Sequence, residues 1–117
     1  MSGMFRDCSS LTSIDLSNFN TRLVTDMSSL FRGCYSATTI IYSNFQTSRV
    51  RNMANLFESC ILTSIDLSKF NTISVTSMYA MFTNCTKLKS VDITKINTEN
   101  VKEMSFMFSD CVSLKNR

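Results

Sequence analysis

Five cysteines are the most reactive side chains of this 117-residue sequence, because thiols can form disulfides, bind metal ions and act as nucleophiles. They recur every 25 or 26 residues, at Cys8, Cys34, Cys60, Cys85 and Cys111. The sequence contains no His and no C-x-x-C pair, so the common ligand patterns of zinc sites are missing. Because each cysteine ends an apolar stretch and stands alone in its repeat, we expect buried thiols rather than a metal site.

Acidic side chains form a second column with the same period. Asp15, Asp66 and Asp92 occupy equivalent positions, and Ile41 takes that position in the remaining copy. Neighbouring carboxylates repel each other, so one hypothesis is a cation or a proton shared by Asp66 and Asp92. The alternative is an acidic face that is solvated and screened by salt.

The second copy differs from the others because Ile41 interrupts the acidic column. An exposed apolar side chain is expected there, and the large side chain of Tyr42 follows it directly. The alternative is that this is one of the scattered apolar surface residues that most proteins carry without function. If the face binds a macromolecule, the predicted contact residues are Asp15, Ile41, Tyr42, Asp66 and Asp92.

Catalysis is not expected. An active site needs different groups brought to one place, whereas each copy of this sequence offers the same Ser, Thr, Asp and Asn. No G-x-S-x-G, H-E-x-x-H or Walker sequence is present. The sequence therefore predicts a protein that is not an enzyme, with no catalytic residues, no cofactor and no metal site.

An internal repeat that covers the whole chain positions these side chains. The residue three positions before every cysteine is Phe, so the predicted core ladder pairs the cysteines with Phe5, Phe31, Phe57, Phe82 and Phe108. Self-similarity at this period is typical of a solenoid, in which each repeat buries its apolar face against its neighbours. The chain is expected to form one domain with repeats 1–26, 27–52, 53–77, 78–103 and a partial 104–117.

The apolar pattern changes its period within each repeat. Ile14 and Leu16 alternate with polar residues, which predicts a short strand within residues 11–19. Residues 27–34 place apolar side chains at i, i+3, i+4 and i+7, which predicts a helix of about two turns. The predicted fold is an α/β solenoid, a leucine-rich-repeat-like coil of about 25–26 residues per turn, with short parallel strands on one face and short helices on the other. Packed helices lie about 8 to 10 Å apart, too far for disulfides between neighbouring cysteines.

A polar column marks the corner that follows each predicted strand. It consists of Asn20, Gln46, Asn71 and Asn97, each followed by Thr. The chain turns here without Gly or Pro, so these side chains are expected to satisfy backbone groups. A sugar-binding polar row is the alternative, and it would compete with the backbone for the same side chains.

The spacing of Leu11, Ile14 and Leu16 reads as L-x-x-L-x-L, and a clearer copy of the repeat runs from Leu62 to Thr72. The whole chain resembles the BspA-like, Treponema-type leucine-rich repeats, and within them the Asn/Ser-rich branch known from bacterial and mycoplasma surface lipoproteins. The resemblance implies an extracellular or cell-surface protein that adheres to host or neighbouring-cell macromolecules, often within a longer array. It implies no catalytic residues.

Charge and chain ends complete the expectations. The formal net charge is +3 without a basic run, so no nucleic-acid partner is expected, and no apolar run is long enough for membrane insertion. The repeat begins and ends without a polar cap, which is compatible with a segment of a longer array or with end-to-end stacking. Two functions therefore remain open, a noncatalytic adhesion or macromolecule-binding module and a structural protein that self-associates through its open ends into an extracellular filament.

Overall fold

Four short strands lie at equivalent places in successive repeats. The structure is a computed structural model, and it describes residues 1–114. Strand β1 (Ser13–Asp15) pairs in parallel with β2 (Thr39–Ile41), and β3 (Ser64–Ile65) pairs in parallel with β4 (Ser90–Val91). Each pair forms a separate two-stranded sheet. Only a small part of each predicted strand therefore pairs with a neighbouring strand.

The helices predicted opposite the strands are wrong, and with them the α/β solenoid of strands and helices. Residues 1–114 form no helix, and residues 27–34 are a series of turns. Ser29 and Gly33 have φ angles of 58° and 73°, whereas an α-helix keeps φ near about −60° at every residue. Equivalent left-handed residues recur in the other repeats, namely Gly3, Asp7, Asn55, Ser59, Ala80, Asn84, Phe106 and Asp110.

Backbone hydrogen bonds show why this segment is not helical. Every second N–H group donates to the next repeat, as Phe31 does to the carbonyl of Leu56 at 3.0 Å. The N–H groups between them donate three residues back, as Leu30 does to Met27 at 3.2 Å. An α-helix would direct all of these groups to acceptors four residues back. Bonding between repeats replaces helical bonding on this side, the turn face, which consists of residues 1–8, 27–34, 53–60, 78–85 and 104–111.

The phenylalanine rings of successive repeats stack closely in the core. The ring centroids of Phe31 and Phe57 are 5.5 Å apart, and those of Phe57 and Phe82 are 5.8 Å apart. The rings follow the spacing of the hydrogen-bonded backbones, which lie closer together than the axes of packed helices at about 8 to 10 Å. The ring ladder extends to Phe5 at 6.2 Å from Phe31 and to Phe108 at 5.2 Å from Phe82.

The cysteines lie beside the phenylalanine ladder. Cys60 Sγ donates to the carbonyl of Phe31 at 3.1 Å, and Cys85 Sγ donates to that of Phe57 at 3.0 Å. Burial raises the pKa of the Cys85 thiol to about 12, so it stays protonated at neutral pH. Equivalent bonds join Cys34 to Phe5 and Cys111 to Phe82.

Four of the cysteines, Cys8, Cys34, Cys60 and Cys85, are free thiols. The sequence argument against disulfides assumed widely separated helices. That argument is wrong, because the turn face contains no helix. What the structure shows instead is a hydrogen-bond acceptor for each thiol from Cys34 to Cys111, the carbonyl of a phenylalanine in the preceding repeat. Each thiol therefore helps to join two repeats.

The corner column forms the expected backbone bonds, and its threonines make them. Thr47, which is 1% exposed, donates its hydroxyl to the carbonyl of Asn71 at 2.9 Å and accepts the N–H of Asn71 at 2.7 Å. Asn71 Oδ1 accepts the N–H of Ile73 at 3.1 Å and holds the turn. The same threonine bonds recur at Thr21 with Gln46 and at Thr72 with Asn97.

Candidate functional site

The three aspartates of the predicted binding face are exposed and fix the turns that follow their strands. The N–H groups of Ser17 and Ser68 donate to Asp15 Oδ1 and Asp66 Oδ1, each at 2.9 Å, and lower the pKa of both carboxyls. The hydroxyl and the N–H of Thr94 do the same for Asp92. The carboxylates are therefore ionised at neutral pH, and one oxygen of each is engaged in its own turn.

Ile41 interrupts this acidic column, as the sequence shows, and it is 40% exposed. It is the last residue of β2 and pairs with Asp15 of β1. An aliphatic side chain at this position cannot accept the turn N–H as the aspartates do. The second repeat thus carries an apolar side chain on a face that is otherwise acidic.

Tyr42 occupies the column that Leu16 and Leu67 fill with buried leucine side chains. Its ring meets Phe70 edge-on at 5.2 Å and lies 5.7 Å from Phe45. Its hydroxyl donates to the carbonyl of Asp66, at 2.5 Å, in the next repeat. Burial raises the pKa of Tyr42 to about 12, so the hydroxyl remains a donor at neutral pH.

The strands part at this place. Between the first two repeats, the N–H of Leu16 donates to the carbonyl of Ile41 at 2.8 Å. At the equivalent position one repeat later, the carbonyl of Asp66 accepts the hydroxyl of Tyr42 instead, and β2 and β3 belong to different sheets. On the turn face the same two repeats stay joined, as the bond from Phe31 to Leu56 shows. The stack is therefore opened on its strand side only.

Two cavities occupy the opening, one on either side of Tyr42. Their volumes are about 270 and 220 Å³, and both are lined by Ile40, Tyr42 and Asp66. We call the combined feature the Tyr42 groove. Its remaining lining residues are Thr38, Thr39, Ile41 and Ser43 on one wall and Leu62, Ser64 and Lys69 on the other.

The structure thus brings three of the five predicted contact residues together and leaves two apart. Ile41, Tyr42 and Asp66 line the Tyr42 groove, whereas Asp15 and Asp92 belong to the outer strands β1 and β4 or follow them directly. Sequence reasoning missed Ile40 and Lys69. Two sequence signals could have indicated the opening: a tyrosine in a leucine column, and the third repeat, which is one residue shorter than the others between Cys60 and Leu62.

The chemistry of the site is that of a recognition surface. The groove offers aliphatic and aromatic walls, one carboxylate and one ammonium group. Within residues 1–114 no three His, Cys, Asp or Glu side chains are grouped so as to hold a metal ion. In the same part of the chain, every buried side-chain nitrogen or oxygen has a hydrogen-bond partner. No helix among these residues has the length and hydrophobicity that a membrane span needs.

Comparison with known proteins gives one match. The family described as "Mycoplasma protein of unknown function, DUF285" matches residues 1–117. Neither the curated proteins nor the solved structures contain a match to this chain.

Proposed function

The chain belongs to the DUF285 family of mycoplasma proteins, and we propose that it is a noncatalytic extracellular or cell-surface repeat module that binds other macromolecules in adhesion. The observation that carries this proposal is the exposed side chain of Ile41 at the Tyr42 groove, in a column where the other repeats have Asp. The resemblance to surface leucine-rich repeats supports the extracellular location. The groove supports proteins or other macromolecules as partners.

The commitment of the other polar side chains to internal bonds supports binding at the groove rather than along the whole repeat. Thr47 bonds to the backbone of the next repeat, and Asp66 holds its own turn. Groups used in this way have few hydrogen bonds left for a ligand. The Tyr42 groove, by contrast, offers apolar surface, whose burial against a partner is favourable. End-to-end self-assembly stays a prediction, because the structure of a single chain does not test it.

Replacing Ile41 by aspartate is expected to remove binding without unfolding the protein. Aspartate is the residue of the equivalent positions 15, 66 and 92, so at position 41 it can accept the N–H of its own turn as Asp15 accepts that of Ser17. A charged group at the mouth of an apolar groove should weaken affinity by about tenfold or more. The measurement is titration of the labelled chain onto an array of extracellular-matrix proteins and glycans. It identifies the component that binds the chain and gives the affinity for that component.

Leu23→Asp is the matched control, because Leu23 is also an exposed aliphatic residue, at 64%, and lies outside the groove. It should leave the affinity unchanged. Equal affinities of the wild-type chain and Ile41→Asp for the same array component, or an equal loss in both variants, would contradict a binding site at Ile41. Absence of saturable binding to every component would contradict the proposed function for these partner classes.

A further inference from the structure

The two walls of the Tyr42 groove are strands with an open edge. One edge of β2 pairs with β1, and one edge of β3 pairs with β4. The other edges of β2 and β3 do not pair with each other. Strand edges carry backbone N–H and C=O groups that readily pair with another extended chain. Recognition by strand addition uses such edges for affinity and side-chain pockets for specificity. The interior of the stack therefore presents backbone groups that the other strand pairs use among themselves.

The shape of the groove follows the strand direction. On the side of β2 the groove is lined by residues 38–43, of which Thr39–Ile41 form the strand. Three strand residues correspond to about 10 Å at roughly 3.3 Å per residue, so a short extended segment of a peptide can pair with them. The two cavities on either side of Tyr42 provide separate spaces of about 270 and 220 Å³, each large enough for an apolar side chain. Side chains that point to the same face of a strand alternate along it, which fits two neighbouring spaces.

The side chains that line the groove indicate which class of ligand it binds. Ile40, Ile41 and Leu62 line the spaces with aliphatic carbon, which suits apolar side chains. Thr38, Thr39 and Ser64 add groups that can bond to a peptide backbone. Asp66 lines both spaces and Lys69 lines one of them, so the groove can pair with a charged residue of either sign. The ionised carboxylate of Asp66 favours a basic residue beside the apolar ones.

We propose that the Tyr42 groove binds an extended peptide segment of a partner protein, which pairs through its backbone with the open edge of β2 and inserts alternate apolar side chains on the two sides of Tyr42. This inference rests on the proposed binding function and names the partner class. The hydroxyl of Tyr42 bridges to the carbonyl of Asp66 and must release it when the peptide enters. The bonds of the turn face hold the second and third repeats together while the strand side opens.

The test compares Tyr42→Leu with Tyr35→Leu. Leucine fills the same column at Leu16 and Leu67, so this change should let the carbonyl of Asp66 accept a backbone N–H and close the groove. Tyr35 is a 55% exposed tyrosine outside the groove and makes the same substitution a matched control. The probe is a phage-displayed library of linear peptides of about ten residues, selected on the wild-type chain, and the best sequence is then synthesised for calorimetric titration.

We expect the selected peptides to carry apolar residues at alternate positions. Their affinity should fall about tenfold or more in Tyr42→Leu and stay unchanged in Tyr35→Leu. Hydrogen exchange of the Ile40 and Tyr42 amides in the wild-type chain should slow when the peptide is added, because residues next to Ile41, which bonds to β1, face the open edge. This gives a readout even if Tyr42→Leu folds poorly. Selection of no peptide, or peptides that bind Tyr42→Leu as tightly as the wild type, would overturn the inference.

The two proposals fail in different ways. If Ile41→Asp removes binding to an array component while Tyr42→Leu leaves it intact and no peptide is selected, the binding face stands and peptide insertion is wrong. A glycan as the array component that binds would have the same consequence. If neither the array nor the peptide library yields a ligand, both proposals are wrong.

Discussion

Replacement of Phe57 by alanine should lower the free energy of unfolding by about 3 to 5 kcal/mol, the range for removing a buried phenylalanine. Phe57 is fully buried and contacts rings on several sides, with centroids at 5.5 Å to Phe31, 5.8 Å to Phe82 and 6.4 Å to both Tyr42 and Phe70. Repeats above and below are held in place by their own backbone bonds, so they cannot collapse into the cavity. Urea or thermal unfolding of the purified variant measures the loss.

Phe106→Ala is the control for this prediction. Phe106 is 62% exposed and contacts one other ring, that of Tyr79 at 5.8 Å, so the same truncation should cost less than about 1 kcal/mol. A loss of less than about 1 kcal/mol for Phe57→Ala would mean that the ring does not lie in a closed column.

The second large effect is expected at the corner column. Thr47→Val keeps the shape of the side chain but removes the hydroxyl that both donates to and accepts from the backbone of Asn71. Part-buried N–H and C=O groups without a partner cost about 1 to 3 kcal/mol, so the variant should lose stability in that range. The sequence has no Trp to report unfolding by fluorescence. Circular dichroism during chemical denaturation, and during a separate thermal scan, provides the measurement.

Thr47→Ser separates the hydroxyl from the methyl group. It retains both hydrogen bonds and removes about one buried methyl group, so the expected loss is no more than about 1 kcal/mol. Equal losses for the valine and serine variants would show that Thr47 acts through its methyl group and that the threonine bonds do not join the repeats.

The columns of the core could be read from the sequence because stacking places like residues on like residues. Phe31, Phe57 and Phe82 occupy the same place in their repeats, and the structure stacks their rings at 5.5 and 5.8 Å. The backbone of the turn face could not be read in the same way. Apolar spacing of i, i+3, i+4 and i+7 indicates which side chains face inward, and a chain of alternating turns satisfies it as well as a helix does.

What distinguishes the two backbones is a pairing between residues about 25 positions apart. The left-handed φ of Ser29 and the bond from Phe31 to Leu56 depend on the neighbouring repeat, which a local apolar period does not describe. Gly3 and Gly33 stand at two of the left-handed positions and were a signal, because glycine adopts positive φ at little cost. The other left-handed positions carry residues such as Ala80 and Phe106, whose types do not indicate a positive φ.

Three residues of the candidate site, Ile41, Tyr42 and Asp66, were predictable from the sequence, whereas its shape was not. Ile41 and Tyr42 were visible as departures from their columns, so the sequence could indicate that the second repeat differs. The opening between β2 and β3 depends on whether a carbonyl bonds to a backbone N–H or to the hydroxyl of Tyr42. The ring of Tyr42 packs among Phe45, Phe57 and Phe70, a contact between repeats that the columns of the sequence do not describe.

Proton–proton contacts measured by nuclear magnetic resonance on the labelled chain would show whether the repeats are joined in register through the turn face. The bond from the N–H of Phe31 to the carbonyl of Leu56 at 3.0 Å predicts cross-peaks between the Phe31 amide and protons of residues 56 and 57. Equivalent peaks are expected for Phe57 with residues 81 and 82. Uninterrupted i to i+3 contacts through residues 27–34, without any peak between repeats, would instead identify a helix there and contradict the stacked arrangement.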